Sequence, residues 1–126
     1  MAVNLSSADV EIYIPRWHPA TLNSLLKNRW AASRLKRADR EMLWAYSVGK
    51  SKAIGMRRVE LTIILRRGQR AADPDAQWKS LLDALKHAGL LLEDNRQNVE
   101  LAPVSYERGT VTEWGTRIRL IDHRVP

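Results

Sequence analysis

The sequence predicts an α+β fold, a small mixed β-sheet with helices packed on it in the order β-α-β-α-β-β. Three observations carry this expectation. Residues Arg58 to Arg67 alternate apolar and polar side chains, two stretches of helical period each end at a glycine, and 126 residues suit one domain, 1–126, better than two.

Val10 to Ile14 alternates before Pro15 and reads as the first strand, whereas Trp17 to Arg29 has no decisive period. From Ser33 to Val48 apolar residues recur at Leu35, Ala38, Met42 and Ala45 or Tyr46, a helical spacing that stops at Gly49 and turns Arg34, Lys36, Arg37 and Arg40 to solvent. In the strand from Arg58 to Arg67, Val59, Leu61, Ile63 and Leu65 share one face. After a loop, Asp73 stands where an N-cap belongs and Pro74 at the first helical position. Trp78, Leu81, Leu82, Leu85 and Ala88 then form an apolar stripe, which predicts a helix over Pro74–Ala88 closed by Gly89. Val99 to Tyr106 and Arg117 to Ile121 read as two further strands, the first placed at an edge or bulged by Pro103.

Hydrophobic residues make up 44% and charged residues 28%, enough for a real core. The absence of cysteine excludes disulfides, thiolate zinc sites and cysteine nucleophiles. No apolar run approaches the roughly 20 residues of a membrane span, and the first nine residues lack a signal-peptide pattern. A soluble, cytoplasmic protein with no membrane partner is the expectation. The net charge of +7 is unevenly spread. Residues 27–70 hold thirteen basic side chains against three acidic ones, a surplus of ten, while the remainder is acidic by three. That asymmetry suits a surface that grips a phosphate backbone. The nominated contacts are Lys27, Arg29, Arg34, Lys36, Arg37, Arg40, Arg66, Arg67 and Arg70.

Asp73 and Asp75 flank Pro74, and two carboxylates so close repel unless a cation or several donors stand between them. Hard oxygen donors of this kind suit Mg²⁺ or Mn²⁺. Lys79, four residues after Asp75, lies one helical turn further on and is suited to a phosphate oxygen; Glu93 and Asp94 supply further acid. Singly, each has a plainer use as a cap, a helix-dipole partner or a polar turn. Their combined spacing points to a site.

The segment from Asp73 through Asp75, Lys79, Asp83 and Gly89 to Glu93-Asp94 resembles the signature of the RusA-like Holliday junction resolvases. That family shows an Asp-x-Asp pair, a lysine four residues later, Asp-Ala-Leu on the helix, a glycine stop and a paired acid. Pro19-Ala-Thr21-Leu-Asn23 is similar to the family's Pro-Pro-Ser-x-Asn turn, so the likeness spans about Val10 to Tyr106. It implies that Asp73, Asp75 and Asp94 are metal-binding catalytic carboxylates with Lys79 assisting. It also implies a Mg²⁺-dependent homodimer acting on four-way DNA junctions. Two departures stand out: Ala76 replaces the family's Asn, and the paired acid is Glu93-Asp94 instead of Asp-Asp. A non-catalytic DNA-binding relative and a basic RNA-binding or interaction module are the alternative readings.

A helix from Asp75 to Ala88 rises about 20 Å, and the six residues on to Asp94 extend at most roughly as far. Asp94 therefore rejoins Asp75 by a segment running almost straight back, or else a neighbouring subunit supplies it. Asp83 is expected to pair with Lys79 on the surface. The three histidines fit no metal spacing. Trp44 and Trp78 are expected in the core, and Trp17 and Trp30 under loops more than on nucleobases.

Overall fold

A computed structural model describes residues 8–27, 29–72 and 74–123. Strand β1, Val10–Pro15, buries Val10, Ile12 and Ile14 on one face. The undecided stretch contains a short helix α1, Leu22–Lys27, which Thr21 caps: its hydroxyl accepts from the Ser24 amide at 3.3 Å. Helix α2 runs Arg29–Tyr46, starting four residues earlier than the apolar period alone indicates, and Gly49 follows it with φ 77°.

Strand β2, Arg57–Leu65, turns Arg57, Val59, Leu61, Ile63 and Leu65 inward. The predicted helix over Pro74–Ala88 divides into a 3₁₀ turn, Pro74–Gln77, and helix α3, Trp78–His87. Asp73, expected as the N-cap, lies outside the described residues. The C-terminal stop takes the expected form. Gly89 has φ 78°, its amide donates to Lys86 O and that of Leu90 to Leu85 O, both at 2.9 Å, so the glycine reverses the chain and satisfies two helix-end carbonyls.

The strand expected over Val99–Tyr106 is two strands, β3 (Val99–Leu101) and β4 (Ser105–Arg108), both parallel to β2. Pro103, which has no amide hydrogen to donate, sits in the gap between them at the sheet edge. Strand β5, Gly115–Asp122, runs antiparallel between β1 and β2, giving the order β1-β5-β2 and then β3 and β4. The fold is thus α+β with one mixed sheet.

The inward sheet residues form one core with Leu43 of α2, Leu81, Ala84 and Leu85 of α3, and Leu90 and Leu91 beyond it. The opposite sheet face holds ion pairs, among them Arg119–Glu60 at 2.7 Å and Arg58–Glu100 at 2.9 Å. Among the described residues no helix is long and apolar enough to cross a membrane.

The inward stripe of α2 is rotated from expectation. Asp39 and Leu43 are its buried residues, while Ala38, Ala45, Trp44 and Tyr46 are exposed. The reason is polar: the Asp39 carboxylate accepts the Ser80 hydroxyl at 2.6 Å and the Ala20 amide at 2.9 Å, so an acid takes a position that hydropathy assigns outward.

Candidate functional site

Of the proposed acids, Asp75 meets the fold at the entry to α3, and Glu93 and Asp94 lie in the loop behind that helix. Asp75 has its backbone in the 3₁₀ turn, so its step to Lys79 crosses a change of helix type instead of one regular α-turn. Lys79, in the first turn of α3, is exposed. After Gly89, buried Leu90 and Leu91 fix the chain to the core, and the segment from Leu92 to Gln97 is exposed. Glu93 pairs with Lys86 at 3.0 Å. Asp94 is exposed and shares a crevice of about 270 Å³ with Leu82, Arg96, Val99 and Leu101. Leu82 belongs to α3, three residues after Lys79, so the crevice sets Asp94 alongside the α3 helix of its own chain.

The acidic loop is firmly held. Lys52 Nζ donates to Ala88 O at 2.7 Å, the Ala53 amide to Gly89 O at 3.0 Å, and Arg57 Nη1 to Leu90 O at 3.0 Å. Asn95 then organises the turn after Asp94, its side-chain oxygen accepting from the Gln97 amide and the Asn98 side chain. Glu93 raises the Lys86 pKa by its hydrogen bond and charge, and the charges of Asp94 and Asp83 add to this.

Among the described residues no three His, Asp or Glu side chains cluster as a metal site. Asp73 lies outside those residues, and Asp75 is placed by its backbone. The donor chemistry of Asp73, Asp75 and Asp94 matches a hard divalent cation: all three are carboxylates, with no thiolate in the chain.

The two stretches carrying the resemblance are joined physically. Asp39 bonds at once to Ala20, within the Pro19-Ala-Thr21-Leu-Asn23 turn, and to Ser80, the residue after Lys79. Burial pushes the Asp39 carboxyl up, and its bonds to Ser80 and Ala20 partly oppose the shift. Sequence reading passed over Asp39, although its spacing of four from both Leu35 and Leu43 marks a shared helix face.

Of the nominated phosphate contacts, Lys27, Arg29, Arg34, Arg37, Arg66, Arg67 and Arg70 are exposed and Lys36 is half-buried. Arg40 is engaged by Asp83 through two bonds, at 2.8 and 3.0 Å, which hold the Asp83 carboxyl below its ordinary range. Asp83 therefore pairs across to α2 and not, as expected, with Lys79 along its own helix. Arg57, counted in the basic surplus, is fully buried, bonded to Asp122 at 2.6 Å and to the carbonyls of Ser51 and Leu90. Trp78 packs against the core as expected, and Trp17, expected under a loop, packs there too; Trp44, expected in the core, is 57% exposed, and Trp30 is 80% exposed.

No family model matches the chain, and no curated protein shows significant similarity to it.

Proposed function

We propose that the protein is a Mg²⁺-dependent endonuclease of RusA-like type that resolves four-way DNA junctions, acting as a homodimer. The observation that carries this reading is the crevice that Asp94 shares with Leu82 of α3, the helix whose first turn bears Lys79 and whose entry bears Asp75. The link through Asp39 between the Pro19–Asn23 turn and Ser80 supports it, because it holds both stretches of the resemblance in one arrangement.

In this reading Asp73, Asp75 and Asp94 hold the cation, with Mn²⁺ able to replace Mg²⁺. The metal, when bound, supplies Lewis-acid activation of water for attack on a phosphodiester. Lys79, exposed and cationic, neutralises charge on the phosphate oxygens. The basic residues of α2 and of the loop after β2 hold the flanking backbone. A junction must be nicked on two opposed strands, and a two-fold dimer offers two equivalent sites.

The test is incubation with a synthetic four-way junction, a linear duplex and a structured RNA, with and without Mg²⁺. Metal-dependent symmetric nicking of the junction alone is expected, abolished in Asp75→Asn and Asp94→Asn while junction binding without metal persists. An Asp94→Asn protein cutting at wild-type rate overturns the assignment. One observation favours the non-catalytic DNA-binding relative: Ala76 is buried and apolar where the family has Asn beside its second Asp. That alternative expects junction binding with no cleavage in any divalent metal.

A further inference from the structure

Trp44 is the wrong residue to find in solvent. An indole is among the most favourable side chains to bury, and a helix that exposes one presents a large apolar face to water. It lies in the last turn of α2, and the ring is fixed by its neighbours. The Lys52 ammonium stands 5.5 Å from the ring centroid, and Lys52 is itself held by its 2.7 Å bond to Ala88 O. The His87 ring lies 6.2 Å away, tilted by 57°. Beside the indole is a crevice of about 430 Å³ lined by Arg37, Arg40, Glu41, Trp44 and His87.

We infer that Trp44 is a stacking platform for an unpaired nucleobase, with Arg37 taking the adjoining phosphate. A base offers a flat π-face to the indole whatever its sequence, and a cation beside the stack suits its anionic backbone. Arg37, two helical turns or about 10 Å before Trp44, is exposed, and its side chain has neither a hydrogen bond nor an ion pair among the described residues. Arg40 is already committed to Asp83, so the uncommitted cation of this crevice is Arg37, which lines it together with Glu41, while Lys52 stands over the indole. The phosphate lies toward Arg37, away from the carbonyl end of α2, where the helix dipole repels anions. Because Lys52 and His87 already fix the ring, little side-chain freedom is lost when a base docks. The volume admits a base with its sugar, and the surrounding charge favours an anionic nucleotide over an acidic peptide's flexible chain, which offers no flat ring to the indole.

This inference rests on the nucleic-acid part of the reading above and extends it from phosphate contacts to open, unstacked strands. The experiment uses the full chain without divalent metal at low salt. A fluorescently labelled short oligothymidylate and a duplex of equal length are titrated with wild type, Trp44→Ala and Trp44→Phe, circular dichroism confirming the fold of each. Trp44→Ala is expected to weaken oligothymidylate binding by roughly 5- to 150-fold, the worth of one stacked base, and to leave duplex affinity unchanged. Trp44→Phe is expected to keep most of the single-strand affinity. Unchanged single-strand binding by Trp44→Ala overturns the platform, and junction cleavage by the same variant then shows that the nuclease reading stands alone. Absence of any nucleic-acid binding by wild type overturns both. Equal losses on both probes without rescue by phenylalanine, or a change confined to self-association in sedimentation, assign Trp44 to structure or to a protein contact and overturn the base site.

Discussion

Asp39 shows how much one side chain decides. It is buried, and its two hydrogen bonds join the turn before α1 to α3 across α2. Burial favours its protonated form, raising the folded-state pKa, while in the unfolded chain the group titrates near 4. Between those two values the native state binds more protons than the unfolded one, so stability falls as pH rises through that window. An Asn at this position does not titrate. The stability advantage of wild type over Asp39→Asn is therefore expected to be greatest below about pH 4 and to shrink as pH rises through the raised pKa. Urea midpoints of both proteins across that range check it, and parallel curves would show that burial of the charge contributes nothing.

Among the secondary-structure elements, Arg57 has the corresponding role. From the first position of β2 its guanidinium bonds to Asp122 of β5, to Ser51 and to Leu90 in the segment that carries Glu93 and Asp94. Replacing it with Met removes the charge that balances Asp122 and leaves inward-facing carbonyls without donors. A loss of about 3 kcal/mol is expected from denaturant unfolding. Amide exchange should rise first in residues 88–98, because the clamp on Leu90 goes with the guanidinium. Uniform acceleration across the sheet, with no excess in that loop, would mean that Arg57 supports the strands alone.

At the scale of the whole molecule, the basic surplus is smaller in practice than by count. Arg57 is buried, Arg58 pairs with Glu100 and Glu60, and Arg40 pairs with Asp83. If the exposed cations hold duplex DNA, each phosphate that a variant no longer neutralises lowers the slope of log affinity against log salt by about 0.9. Arg34→Ala with Arg37→Ala is expected to flatten the slope by nearly 2, and Arg40→Ala by less. A slope unmoved by the double variant places the DNA on another surface.

Periodicity was sufficient to place β1, β2, β5 and the core face of α3, because a repeat of two or of 3.6 residues is a local property that burial of one face imposes on neighbouring positions. Gly49 and Gly89 as helix stops were legible for a similar local reason: a positive φ is easiest without a β-carbon. The acid spacing from Asp73 to Asp94 is a local pattern of the same kind. Partners distant in sequence were not legible. Asp39 faces inward because Ser80, forty-one residues away, donates to it; Arg57 is buried because Asp122, sixty-five residues away, balances its charge; Trp44 is exposed because α2 turns Asp39 and Leu43 to the core in its place. Desolvation of a charge is tolerated only where folding brings up donors or a counter-charge, so the decision belongs to tertiary contacts that no local pattern encodes.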